Sequence, residues 1–346
     1  MDKHTFKVLE YNLVIEKIAG KTTCIYGRQT VLCRMPQKEI ESIERLQEQT
    51  REALSILDST EPLSVGEMDP VDKLLEMASK EIPLQGSDIR RVYQTLERSS
   101  ELKGYLDKRE AILPEIYRDS LALTAFPALE REIVQKVGSD GRILDRASSE
   151  LARLRREDEV LQGRIRGHLE GFLKNPDYLK MLQEPIITSR EHRHVLPVKQ
   201  EYRSQFPGIA LDSSASGATV FMEPLSVLKL TNELKYVRNQ EIREEEKIRL
   251  DLTRRISCCR EDLLRNLEFI GHYDALQAAA RYIIDSDCII PKVVKDPVLN
   301  LKSARHPLLE VKPVPVDIRV GEDFAGLVIT GPNTGGKTVT SRLRDF

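Results

Sequence analysis

The stretch GLVITGPNTGGKTVTSRLRDF, residues 326–346, contains a full match to G-x-x-x-x-G-K-[ST] at Gly331–Thr338. A short β-branched run, Leu327–Thr330, feeds directly into it, which is the strand-to-loop-to-helix setting the motif requires. The chemistry of each position is specific. Gly331, Pro332, Asn333, Thr334, Gly335 and Gly336 form the loop; the amides around Thr334 to Lys337 can point towards phosphate oxygens, and Gly335 and Gly336 allow close backbone approach. Lys337 reaches the β and γ phosphates, and the Thr338 hydroxyl is the candidate Mg2+ ligand. A helix N-terminus following the loop favours the anion. By composition, a chance match in a chain of this length has a probability on the order of 1%. Residues 339–346 hold no Walker B strand or catalytic carboxylates, so the sequence predicts ATP and Mg2+ as ligands but no hydrolysis by this chain alone.

Upstream, VPVDIRV (314–320) reads as a second strand, separated from the first by the GEDFAG turn. Further back, Leu225–Ile270 is a run without proline or glycine. As one helix it would extend about 70 Å, with Leu230, Leu234, Val237, Ile248, Leu252, Ile256, Leu263 and Leu267 as its apolar stripe. A further helix is expected over Asp274–Ile284. The segment 139–175 predicts another long helix, opened by a turn at Asp140–Gly141 and capped by Ser148 or Ser149. Its apolar face is Leu151, Leu154, Leu161, Ile165, Leu169 and Phe172. Gly163, Gly167 and Gly171 on one side of it permit either close helix packing or local bending. His168 reads as a packed or solvated histidine.

Between these helices, residues 186–188, 195–198, 209–211 and 218–222 are short apolar or β-branched runs separated by polar turns, which predicts a small sheet. Arg190, Arg193, Lys199 and Arg203 there suit either phosphate contacts or an ordinary solvated strand face. SSASG (213–217) reads as a turn, since its glycine spacing does not make a nucleophile elbow. Residues 1–130 predict helices around 7–19, 39–57 and 87–106, the last with Ile89, Val92, Leu96 and Leu102 in helical register; Pro36, Pro62, Pro70 and Pro83 interrupt them.

The chain has 346 residues, enough for two or three domains, and a formal charge of −2 with 31% charged residues. Such balance excludes global electrostatic steering towards nucleic acid or an anionic membrane. Low aromatic content, 5% with no tryptophan, excludes a broad base-stacking platform. Cys24, Cys33, Cys258, Cys259 and Cys288 lack zinc spacing and read as reduced structural thiols. No stretch approaches a membrane span and the N-terminus lacks a signal-peptide pattern, so no membrane partner and a cytoplasmic location are expected.

ITGPNTGGKT, together with ARHPLLE at 304–310, SSASGATVFMEP at 213–224, NEL at 232–234, DGRILDRASSELARLRRE at 140–157 and DPVLNLKSARHPLLE at 296–310, resembles the MutS family of mechanical ATPases. The resemblance spans nearly the whole chain. It is to the second bacterial class, linked to suppression of recombination and to ribosome rescue, rather than to the mismatch-repair paralogue. What it implies is a mainly α fold: a helical core and long lever helices with a small β clamp or insert, followed by the start of an α/β P-loop ATPase domain. The implied divisions are 1–130 helical core, 131–184 lever, 185–224 β segment, 225–290 long lever helix and return, and 291–346 ATPase start.

It also implies a homodimer in complete relatives, with branched or mismatched DNA, or a stalled or collided ribosome, as partner. In complete relatives Walker B, the signature motif and an Smr domain, proposed as nuclease or RNA-binding module, follow the Walker A loop. Arg305 and His306 match the family's RHP motif, with a structural and a ligand role both open. SRLRDF (341–346) departs from the family's lysine-containing helix, VPVD replaces VPND at 314–317, and Leu211 stands where histidine is usual. The first departure is read as a truncated product, a frameshift or a fragment. The alternative reading is a non-enzymatic helical fragment that binds nucleic acid or ribosomes, or an inactive truncated product.

Overall fold

A computed structural model describes residues 6, 10–190, 193–309 and 314–330. Its described residues are mainly helical and fall into two compact units. The first comprises residues 1–76, 91–130 and 257–346; the second comprises 77–90 and 131–256.

The first unit is organised by α11 (Arg260–Asp285), numbering helices from α1 (Tyr11–Ala19) and α2 (Ile25–Leu32). Leu263, Leu267, Ile270, Tyr273, Leu276 and Ala280 of α11 are all buried. Helix α2 lies so close that a Cβ on Gly271 would come within 2.7 Å of the Thr30 hydroxyl and 3.0 Å of the Tyr26 carbonyl. α3 (Ile40–Leu57) packs alongside. Its buried Glu52 accepts from the Glu115 and Ile116 backbone amides, both at 2.8 Å. Those are first-turn donors of α6 (Pro114–Ser120), so a side chain from another helix supplies the cap that Leu113 does not. Burial raises the Glu52 carboxyl above its ordinary value, and the two amides oppose that rise.

α4 (Asp72–Ser79), α5 (Gly86–Asp107) and α7 (Pro127–Lys136) each contribute residues to both units. The predicted helices at 7–19, 39–57 and 87–106 correspond to α1, α3 and α5. α2, α4, α6 and α7 lie in stretches to which the sequence reading assigned no particular helix. Proline at the first position starts both α6 and α7, where its missing amide costs nothing.

In the second unit α8 (Ser149–Lys174) starts on Ser148, whose hydroxyl accepts from the Leu151 amide at 3.0 Å. It buries the predicted face, Leu151, Leu154, Leu161, Ile165 and Leu169. A Cβ placed on Gly163, Gly167 or Gly171 meets nothing within 4 Å, so no close helix packing occurs there among the described residues. A one-turn helix α9 (Pro176–Met181), capped by Asn175, leads into the sheet.

That sheet follows the sequence reading. Strands β1 (Thr188–Arg190), β2 (Arg193–Lys199), β3 (Gly208–Ser213) and β4 (Thr219–Pro224) are antiparallel in the order β1-β2-β4-β3. Leu196 pairs with Met222 and Val198 with Val220, setting those four side chains into a core with Leu161, Ile165 and Leu169. Each such buried side chain contributes about 2 kcal/mol. A bulge at Leu211 interrupts the β3–β4 ladder, and Gly217 takes the left-handed φ of 69° that the connecting turn needs.

The glycine-free run is not one rod. α10 (Leu225–Cys258) ends at a break on Cys259, φ −96° and ψ 3°, and α11 begins at Arg260. Gly271, which bounded the run in the sequence, lies inside α11, and the expected Asp274–Ile284 helix is the second half of α11. α10 is therefore about 50 Å long rather than 70.

Candidate functional site

All the predicted nucleotide-site residues, Gly331 to Thr338, lie outside the described residues. The structure describes what leads to them. β5 (Leu299–Ala304) and β6 (Val316–Val320) form an antiparallel pair, Leu301 opposite Ile318, with Ile318 buried. Gly321 turns the chain with φ 99°, its amide donating to the Phe324 carbonyl at 2.9 Å. A Cβ on Gly321 would collide with the Pro297 carbonyl, so glycine is required on two counts.

The expected strand at Leu327–Thr330 is corrected: these residues are described and carry no strand pairing. A strand is held by its neighbours' ladder hydrogen bonds, and none of the described residues offers Leu327–Thr330 a partner. Leu327, Val328 and Ile329 are exposed accordingly.

The RHP segment is tied into the first unit. The Arg305 guanidinium pairs with Asp287 at 3.3 Å, and Lys17 of α1 donates to the Pro307 carbonyl at 2.9 Å. His306 is buried; its Nδ1 accepts from the Leu308 amide at 3.4 Å, and its Nε2 lies 4.0 Å from a Glu10 carboxylate oxygen. These contacts moor the approach to β6 on α1.

Three of the four basic residues singled out around the small sheet are engaged within the fold. Arg193 donates to the buried Glu223 at 2.6 Å and to Asn232 at 3.1 Å. Arg190 pairs with Asp212 at 3.2 Å and lies over the Phe221 ring. Lys199 donates to the Lys180 carbonyl at 3.0 Å. Arg203 and His168 are exposed. SSASG is a hairpin turn, in which Ser214 Oγ accepts from the Thr219 amide at 3.1 Å.

Three polar centres escaped the sequence reading. Asp274, fully buried in α11, accepts from the Thr23 amide at 2.9 Å, the Thr23 hydroxyl at 2.8 Å and the Cys24 amide at 3.0 Å, ordering the start of α2. Its burial beside Cys24 helps push that thiol up to about 12, burial of the thiol itself being the larger cause. His272 Nε2 lies 3.1 Å from Gln49 Oε1 and 4.0 Å from Asp119. Burial, reinforced by the Arg34 charge, lowers this imidazole to about 4, so it is neutral near pH 7. Arg155 of α8 gathers Asp145, Glu241 and Glu245. Asp274 and Thr23 are about 250 positions apart, and no local signal joins them. Arg155 had one: the apolar stripes of both long helices lapse on either side of it.

A groove of 680 Å³ in the first unit is lined by four cations, Arg45, Arg51, Arg118 and Lys292, and four carboxylates, Glu41, Glu44, Glu48 and Glu115, a balanced set with no bias towards an anion. Among the described residues no cluster of three or more histidine, cysteine or acidic side chains could hold a metal, and no helix is long and apolar enough to cross a membrane. All five cysteines are free thiols.

A helical body, and a long antiparallel helix pair closed at one end by a four-stranded sheet, define the class: a MutS-like core with a small β clamp. No family model matches the chain. Individual relatives do. It is 38% identical over 339 residues to the Endonuclease MutS2 of Pelotomaculum thermopropionicum, 37% over 341 to that of Carboxydothermus hydrogenoformans and 36% over 339 to that of Symbiobacterium thermophilum. Each match covers 98% of this chain and 42% or 43% of the relative. The chain belongs to the bacterial MutS2 family. It spans less than half the length of the curated relatives it matches.

Proposed function

We propose that this chain supplies the core, lever, clamp and first nucleotide-binding motif of a MutS2-type ATPase. In it, ATP with Mg2+ binds at Gly331–Thr338, and the lever helices couple that event to a clamp acting on branched DNA or a collided ribosome. Support comes from the complete G-x-x-x-x-G-K-T loop in a chain related to MutS2 proteins along 98% of its length.

The donor set fits the group: glycines that let amides reach phosphate oxygens, the Lys337 ammonium for the β and γ phosphates and the Thr338 hydroxyl for the cation. When bound, Mg-ATP would supply the phosphoanhydride whose charge the loop neutralises. The relatives are named endonucleases; in this chain no residue is assigned to phosphodiester cleavage. Hydrolysis also needs an acidic group that orients the attacking water, and none is assigned within residues 1–346, which alone should bind nucleotide with little or no turnover.

Titration of a fluorescent ATP analogue with Mg2+ tests the reading. Lys337→Ala should weaken binding at least tenfold with the circular dichroism spectrum unchanged, because a charge-assisted contact to phosphate is lost. Equal binding by the wild type and Lys337→Ala, or robust turnover by residues 1–346 that Lys337→Ala abolishes, would refute it.

A further inference from the structure

In the second unit, α8 and α10 run antiparallel: Ser148 meets Glu244, Arg155 meets Glu241 and Glu245, and Asp158 meets Arg238. Towards the sheet the pair is sealed by Leu161, Ile165 and Leu169 against Val227, Leu234 and Val237. At the other end Leu151 of α8 and Ile248, Leu252 and Ile256 of α10 are buried. Between these seals α10 has no buried residue from 238 to 247, and α8 has none from 155 to 160. The ion pairs set the level of the two lapses: Arg155 lies opposite Glu241 and Glu245, and Asp158 opposite Arg238, so residues 155–158 face 238–245, about 12 Å of α10, with Leu154 of the sheet-side cluster at the edge of the interval. Their only large apolar side chains, Ile242 and Val160, are both exposed.

Charge fills the interval. Arg155 donates to Glu241 at 2.8 Å, to Glu245 at 2.6 Å, to the Ile143 carbonyl at 2.9 Å and to Asp145. Arg238 pairs with Asp158 at 2.7 Å, and the Ser148 hydroxyl that caps α8 also donates to Glu244 at 2.9 Å. Lys247 adds a looser contact to Glu244 at 3.5 Å. Five carboxylates thus face two guanidinium groups across a half-buried seam. Arg155 alone separates three of those carboxylates, one each from the 138–147 turn and two from successive turns of α10.

Apolar seals are insensitive to salt, whereas half-buried ion pairs weaken as ionic strength rises. We propose that this ionic layer is the hinge of the lever: α8 and α10 part at residues 155–160 and 238–247 while the apolar seals on either side stay closed, with Arg155 as the clasp. The layer is a property of the unit itself and needs no nucleotide, so it stands or falls independently of ATP binding.

Hydrogen–deuterium exchange on the full 346-residue chain reads it. In the wild type, amides of 238–247 should exchange at least tenfold faster than those of 230–237 and 248–256, with the contrast growing between 50 mM and 500 mM NaCl. Arg155→Gln should accelerate exchange at 238–247 by a further factor of about ten and leave both seals protected. Arg153→Gln, which removes an exposed arginine paired, among the described residues, with Glu150 and Glu157 of its own helix, should leave the profile unchanged. Uniform protection along 230–256 in the wild type, or equal effects of Arg155→Gln and Arg153→Gln, overturns the proposal. Should Arg155→Gln unfold the chain, the wild-type profile and its salt response decide.

Discussion

Asp274 carries no exposed surface, yet its carboxylate holds three donors from the Thr23–Cys24 segment at the mouth of α2. Arg281 stands 3.8 Å away as the neighbouring cation. Asp274→Ala should therefore destabilise the first unit by about 3 kcal/mol, since it strands buried donors as well as removing their acceptor. Asp274→Asn retains an oxygen acceptor and should cost visibly less; urea denaturation followed by circular dichroism separates the two. His272 makes a pH-dependent contribution of known sign. Its folded value, about 4, lies below the ordinary histidine value, so between those limits the unfolded chain binds the extra proton. Stability from this group is complete above about pH 6.5 and is lost as pH falls towards 4. The loss should be on the order of 2 kcal/mol, and His272→Gln should flatten that limb of a urea-midpoint profile taken from pH 7 to pH 4.5.

At the scale of the element, glycines of the two long helices carry opposite instructions. Gly271 lets α11 approach α2 to within a side chain's thickness, so Gly271→Ala should destabilise by about 1–3 kcal/mol through overpacking although alanine is the better helix former. Gly163→Ala and Gly167→Ala place a methyl in open space and should each stabilise α8 by about 0.5–1 kcal/mol. Denaturation midpoints of the three variants, measured side by side, test both signs at once. What was legible in the sequence follows from the same physics. α8, the four strands and the Gly217 turn were readable because local periodicity, capping and turn chemistry dictate them. The break at Cys259 was not, since neither proline nor glycine marks it and the buried surface of α11 belongs to a different unit from most of α10. α6 was missed because its cap, Glu52, comes from another helix. Of the candidate site, the motif was fully legible as a motif. The strand expected before it was not realised, because a strand depends on neighbours that its own residues do not encode.

Across the whole molecule, the chain passes between its two units near 76, 90, 130 and 256, and each passage lies inside a helix, namely α4, α5, α7 and α10. Units within one chain are commonly joined by exposed loops that proteases find first. Here the exposed irregular chain lies elsewhere. Residues 286–298 follow α11 without helix until β5 begins, and Lys292 and Lys295 within them are exposed. That segment connects α11 to the strands that lead to the nucleotide motif. Backbone in a continuous helix must open locally before a protease can bind it, whereas an exposed irregular segment is ready to be cut. Limited trypsin digestion should therefore cut at Lys292 and Lys295, and in the exposed loops at Lys38 and Arg203, well before Arg91, Arg131 or Arg255 near the passages. Mass spectrometry of the early fragments identifies the sites. Early release of a piece ending at Arg91 or Arg131 would show that the helical passages open as readily as loops. Early cutting at Lys292 and Lys295 alone would instead separate the helical body from the segment that carries β5, β6 and the chain beyond them.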